Sequence, residues 1–524
     1  MVERKQKGGL MQEATCKAVD TLSRRPTPQY ELYPSSCRGL IVAYVTDLDR
    51  MLIGGELVAS ESGECDETIS PATEEVVGRA PRATKGDVER AVAAAEKAWP
   101  EWNMRPVDER ADVLRAFGDS IAVRMEEIAR VEAANSGNTI TPMRRNVHET
   151  VATLKYYAGL AYSLKGETVP STTRNLHLTV HEPYGVVARI AAFNHPFMFS
   201  AARTASALAA GNAVVVKPPE TSPLSALILG DIARQALPAG LFNVVTGAGA
   251  VGDALVRHPR IKRIALIGSG GTGRAIQRAA AEVAVKHVTL ELGGKNPMVV
   301  FPDVDLDKAA DIAVHGMNFL WQGQSCGSTS RLLLHEDIHD AVLARVVERV
   351  AAIKVGDPLR DDSGMGPINS ARQYQKVIGF LESSKAEGAR LMTGGRRPSG
   401  AGFAKGFWVE PTVYADVTQS MRLWREEVFG PILAVSRWRT TEEVIQLAND
   451  TEFGLSAAVL TNNINDALHV ARSIRAGNIW INGSSTHFLG MPWGGFKNSG
   501  VQREEAVEEL QSYVETKGIN IMLD

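Results

Sequence analysis

Cysteine is scarce. Four residues, Cys16, Cys37, Cys65 and Cys326, are spread over 524 positions. That is too few for a disulfide framework, and the first three have no zinc-site spacing, so no metal is expected. An excess of either charge is also lacking. Lys and Arg number 57 against 60 Asp and Glu, a net charge of −3, which argues against partnership with nucleic acid or an anionic membrane. No apolar run approaches the ~18 residues of a membrane span. The opening MVERKQKGGLMQE lacks the apolar centre of a secretory signal. Internal repeats and low-complexity tracts are missing too. What remains, 44% hydrophobic and 22% charged residues, is the composition of a soluble globular protein of a few domains, expected in the cytoplasm.

Residues 1–50 mix Pro, Ser, Arg and Lys without a long hydrophobic period and read as an extension, partly disordered. Compact structure is expected from Met51, where MLIGGELV reads as strand and turn. Helical periods follow at 86–99 and 107–134. From residue 185, apolar strands alternate with helices: GVVARIAAF, an Ala-rich helix stopped by Gly211, then AVVVK, FNVVTG, RIALIG and HVTLEL with helices between. Continuous apolar strands alternating with helices predict an α/β fold with a parallel sheet covered on both faces. A second such stretch runs from Pro297 to about residue 480. The tail SYVETKGINI reads as an edge strand.

Gly268-Ser-Gly-Gly-Thr-Gly273 follows a strand and opens a helix, so its bare backbone suits a pyrophosphate. On that template alone, Glu291 stands where a ribose-binding acid would. Four other segments compete for the chemistry: Phe193-Asn194-His195-Pro196, Lys217-Pro218-Pro219-Glu220, Glu291-Leu292-Gly293-Gly294-Lys295 and Gly323-Gln324-Ser325-Cys326. A fifth, Glu427-Val428-Phe429-Gly430-Pro431, lies further on. Taken singly, Asn194 reads equally as a turn residue, Cys326 as a buried structural thiol and Lys295 as part of a solvated loop.

In this order and spacing the segments resemble the aldehyde dehydrogenase superfamily from about residue 51 to the end, and PWGGFKNSGVQRE is similar to its C-terminal pattern. The resemblance implies a Rossmann-type NAD-binding domain (51–163 and 185–293), an α/β catalytic domain (294–482) and a small β oligomerisation extension (164–184 and 503–524). It implies that Cys326 attacks the aldehyde as a thiolate, giving a thiohemiacetal that loses hydride to the nicotinamide and becomes a thioester. The pocket is therefore expected to favour thiolate. Asn194 would stabilise the oxyanion, and Glu291 would activate the hydrolytic water. Lys217, counted with the catalytic and the cofactor residues alike, would hold the adenosine ribose with Glu220. Phe193, Gly268, Ser269, Glu427 and Phe429 complete the cofactor contacts. A 2′-phosphate would be repelled by Glu220, so NAD is expected over NADP.

Phe193 and His195 flank Asn194 where the family usually has Trp and an apolar residue. Met198, Phe319, Trp321 and Phe488 are expected to line the substrate pocket, which points to an apolar or aromatic aldehyde. A choline-derived aldehyde bound by cation–π contacts is the alternative. A homodimer or homotetramer is implied, with 164–184 and 513–523 pairing across subunits and Arg503 and Glu515 near the interface. The rival activities are an acylating enzyme that uses coenzyme A and a non-catalytic binding protein. The first typically lacks the glutamate, and the second should have lost thiol or base.

Overall fold

The computed structural model describes residues 49–523. Cys16, Cys37 and nearly all of the 1–50 extension lie outside them. Among the described residues, no helix is long and apolar enough to cross a membrane.

An eight-stranded sheet organises the first part of the chain. Its order is Glu56–Val58, Met51–Ile53, Phe242–Val244, Ala213–Lys217, Val186–Ile190, Arg263–Ile267, His287–Glu291 and Gly500–Val501. The five strands from Phe242–Val244 to His287–Glu291 are parallel, and the outer pairs are antiparallel. Ala213–Lys217, Val186–Ile190 and Arg263–Ile267 are buried at every position, which is why they carry no polar alternation. Chain order reverses between Val186–Ile190 and Arg263–Ile267. Such a switch point leaves a crevice beyond the carboxyl ends of the strands, where ligands bind. Asn194 and Gly268 follow those two strands directly.

A seven-stranded sheet orders Arg390–Thr393, Thr412–Ala415, Ile432–Trp438, Arg331–His335, Pro297–Val300, Ser456–Leu460 and Asn478–Ile481. Only its first pair is antiparallel. Buried Arg331 locks the sheet to its loops by donating to the carbonyls of Lys295, Leu447 and Ala448, with its guanidinium over Trp424.

Two expectations are corrected. The period over 107–134 is two helices, Val107–Val123 and Met125–Ser136. Arg124 is the hinge, held by Glu127 and Asp231. The Ala-rich segment is broken as well, into Pro196–Ala201, a single turn Ala202–Thr204, and Ala205–Ala209. Thr204 Oγ1 takes the Ala201 carbonyl at 2.7 Å, diverting an acceptor from the helical ladder. The chain still turns at Gly211, where φ is +96°, a conformation glycine adopts without steric cost.

The tail is the edge strand expected, beside a segment within 164–184. Val514–Met522 pairs antiparallel with Asn175–Pro183 of its own chain, from Val514 opposite Pro183 to Met522 opposite Asn175. The cause is a set of tethers just upstream. Arg263 donates to Ser512 Oγ at 2.8 Å and stacks 3.9 Å from the Tyr513 ring, and Asn212 donates to the Tyr513 carbonyl. Thr168–Thr172 completes this three-stranded sheet. Arg503 donates to the carbonyls of Gly495 and Gln502, while Glu515 stands opposite Glu182 in the ladder.

Candidate active site

Three chain segments carry the residues that the sequence reading placed at the reacting centre. Asn194 lies just past a strand end, only 2% exposed. Its carbonyl accepts from Asn138 Nδ2 at 2.9 Å, which fixes the turn, and its Oδ1 is buried without a hydrogen-bond partner. Glu291 closes its own strand and is 3% exposed. Oε1 accepts from Trp493 Nε1 at 3.2 Å, and Oε2 is buried with no partner. Cys326 is a free, half-buried thiol facing that carboxylate. Its loop is pinned by Asn296, which donates to the carbonyls of Cys326 and Ser328 and accepts from Ser456 N–H. Asn296 reaches across two strands of the second sheet, and the sequence reading passed over it.

Burial raises the Glu291 carboxyl to about 7, with Glu504 pushing the same way. Burial and the charge of Glu291 hold the Cys326 thiol well above its ordinary range. Both effects run against the expectation of a pocket favouring thiolate. On the fingerprint template, the carboxylate offered to a ribose is the one whose Oε1 accepts from Trp493. Lys295 is likewise corrected. It is 1% exposed with an unpartnered Nζ, and burial, then Arg331, lowers it to about 7.

The residues assigned to a dinucleotide surround the crevice. Lys217 ends its strand buried, its Nζ donating to the Pro218 carbonyl at 3.0 Å and lying 3.6 Å from Glu220. Ser269 caps the helix Gly270–Ala281, accepting from Thr272 N–H. Its position is exposed, so this helix start presents free N–H groups and the positive end of its dipole. Glu427 accepts from Gly294 N–H at 2.9 Å. A Cβ at Gly293 would stand 2.3 Å from that carboxylate, so the Gly-Gly pair is what admits Glu427 here. Phe429 meets Phe193 edge-on at 5.5 Å. A narrow cavity bounded by Gly294, Ser325, Glu427 and Phe429 joins these residues to the nucleophile loop.

The expected substrate lining is divided. Phe319 and Trp321 face an apolar cavity of about 390 Å³ with Ile353 and Lys354, and the walls of that cavity do not include Cys326. Trp321 also packs on His195, which touches Phe199 and bonds Asn146. Burial, with His487 and Arg203, lowers His195 to about 3, so it is a neutral packed histidine. Met198 is half-buried beside Phe199, and Phe488 is 63% exposed. Sequence reasoning missed a buried charge cluster behind the site. Arg189 donates to Glu504 at 2.6 Å, Arg203 pairs with Glu505, and Tyr157 donates to Glu509 at 2.6 Å. The run Arg503-Glu504-Glu505 was its only trace in the sequence. No cluster of three or more His, Cys, Asp or Glu among the described residues could hold a metal ion.

A doubly wound α/β protein with a thiol, a buried carboxylate and an amide at the mouth of a dinucleotide-type crevice defines the class, and the chain belongs to the aldehyde dehydrogenase family, matched over residues 57–519. Its relatives include the aldehyde dehydrogenase tropH of Talaromyces stipitatus, 42% identical over 464 residues, which covers 87% of this chain and 90% of that one. Among solved structures, betaine aldehyde dehydrogenase from Staphylococcus aureus, crystallised with NAD+, superposes with a TM-score of 0.89 at 35% identity, covering 92% and 97% of the two chains. An aldehyde dehydrogenase variant from Bacillus cereus does so with 0.89 at 36%, covering 94% and 100%.

Proposed function

We propose that this protein oxidises an aldehyde to the carboxylic acid with NAD+, through an acyl group carried on Cys326 and released by water that Glu291 activates. The carrying observation is the pairing of a buried carboxylate, raised to about 7 and gripped by Trp493, with the Cys326 thiol. Glu291 takes the thiol proton, and the sulfur adds to the aldehyde carbon. Asn194, whose amide has no other side-chain duty, donates to the oxygen that becomes negative. Once the acyl group is in place and Glu291 has passed the thiol proton to solvent, its carboxylate accepts a proton from water attacking the thioester. The test is NADH formation from a panel of aldehydes, without coenzyme A, with mass spectrometry of the Cys326 peptide.

The cofactor reading rests on fit. Lys217 uses one of its three ammonium donors on Pro218 and stands beside Glu220, a pair suited to ribose hydroxyls. The start of the helix after Ser269 suits a pyrophosphate, while Glu427 and Phe429 flank the cavity nearest Cys326. Bound there, a nicotinamide cofactor supplies the two-electron acceptor. Residues 51–163 with 185–293 are read as the cofactor domain, 294–482 as the catalytic domain. The three-stranded sheet, with Ile519, Ile521 and Met522 exposed, is read as the surface of a homodimer or homotetramer. An aromatic aldehyde is the substrate read from the sequence, with Trp493 beside Glu291 as its ring neighbour.

Two outcomes are expected. Asn194→Ala lowers kcat by about 10²–10³-fold, the usual loss of one oxyanion donor, as measured by steady-state kinetics with an unchanged Kd for NAD+. Glu220→Gln removes the charge opposing a 2′-phosphate, and the ratio of kcat/KM for NAD+ over NADP+ falls about tenfold.

A further inference from the structure

Helix Met125–Ser136 stops at Gly137, where φ is +84°. A Cβ there would stand 2.9 Å from the Pro367 carbonyl and from the Pro71 ring, so glycine is what admits a turn between two packed segments. Helix Ile140–Leu160 begins just beyond. This short turn is tied to both sides of the site. Towards the nucleophile loop, the Gly137 carbonyl accepts from Gln322 Nε2 and the Ser136 carbonyl from Asn369 Nδ2, each at 3.2 Å. Gln322 Oε1 accepts from Gln324, whose own Oε1 accepts from Asn369 N–H. Towards the amide, Asn138 Nδ2 donates to the Asn194 carbonyl at 2.9 Å. Asn138, Asn194, Gln322 and Gln324 are all buried. No hydrogen bond holds the Asn194 side chain, whose Oδ1 is buried without a partner, so the aim of that amide depends on its backbone. Asn146 bonds the His195 ring and Glu132 accepts from Phe197 N–H at 2.8 Å. Among the described residues, the side chain that grips Asn194 itself is Asn138.

We propose that Asn138 is a positioning residue: through the Asn194 carbonyl it sets where the oxyanion amide stands relative to the Cys326 loop, which hangs from the same turn through Gly137. The proposal rests on Asn194 serving the oxyanion. A donor of that kind works only when it is aimed at the place where charge develops, and a misplacement of about 1 Å costs on the order of 10²-fold in rate. Removing Asn138 Nδ2 leaves a buried carbonyl without its partner and frees the turn to shift. The loss falls on the transition state. Lys217, Ser269 and Glu427, the residues read as holding the dinucleotide, take their hydrogen bonds elsewhere, so cofactor binding does not depend on Asn138.

The experiment is a double-mutant cycle. With NAD+ and the faster of benzaldehyde and acetaldehyde, kcat and the Kd of NAD+ are measured for the wild type, Asn138→Leu, Asn194→Ala and the double variant. Leu keeps the branched shape of Asn and removes its donor. Asn138→Leu is expected to lower kcat about 10–100-fold, with the Kd of NAD+ unchanged. In the Asn194→Ala background the same replacement costs no more than about twofold, because no amide is left to aim. Asn138→Gln, which keeps the donor on a longer arm, recovers part of the lost rate. Asn138→Ala is taken through the same cycle, so that a Leu variant that does not fold leaves the comparison intact. Failure of both to fold assigns Asn138 to the fold alone and overturns the proposal. So do a wild-type kcat in either variant, losses that multiply in the double variant, or a weakened Kd for NAD+. An undiminished kcat in Asn194→Ala defeats the oxyanion reading and the positioning with it, whereas a slow Asn194→Ala beside a fast Asn138→Leu defeats the positioning alone.

Discussion

Cys326→Ala is expected to abolish aldehyde oxidation, by about 10⁴-fold or more, as losing a nucleophile does when the other groups act only through it. Neither Glu291 nor Asn194 can substitute, since one accepts protons and the other donates a hydrogen bond. NAD+ affinity should persist, because Lys217, Ser269 and Glu427 are carried by other segments. The replacement should not unfold the chain, because the Cys326 loop is anchored through its carbonyl by Asn296. Stopped-flow absorbance and equilibrium binding of NAD+ to the same preparation check both halves. Turnover by the Ala variant within tenfold of the wild type would defeat the nucleophile assignment.

Glu291→Gln separates the two half-reactions. Gln still accepts from Trp493 but cannot take a proton from water, so the acyl group is stranded on sulfur. A burst of about one NADH per site is expected, followed by steady-state turnover lower by roughly 10²–10⁴-fold. Intact-protein mass should show the acyl adduct. In the wild type the acting form is the carboxylate, whose pKa is about 7. The hydrolytic rate is therefore low when Glu291 is protonated at acid pH and rises through about pH 7 to a plateau. That limb disappears in Glu291→Gln. Failure of this variant to bind NAD+ would instead assign Glu291 to the ribose.

Much of this was legible in the residues. The buried strands AVVVK and RIALI announce a parallel sheet because neither face meets water, and the strand-end placement of Asn194, Lys217 and Glu291 follows from where those runs stop. The tail's pairing with 164–184 was legible only through the family resemblance. Its partner is selected by Arg263, Tyr513 and Asn212, contacts between positions hundreds of residues apart that leave no local period. Trp493 and Asn296 escaped for the same reason, since a side chain that orients another through space has no signature in spacing. Lys295 shows the opposite error, a Gly-Gly-Lys turn read as solvated because lysine is usually wet. Here the loop is pinned by Arg331 and the amine is sealed in. The break at Ala202–Thr204 needed one hydroxyl to choose a carbonyl over solvent.

The upward push on the Cys326 thiol has a consequence for durability. Alkylating agents and peroxides react with the anion far faster than with the neutral form. A thiol whose pKa burial and Glu291 push upward is a slow target for as long as its proton stays in place.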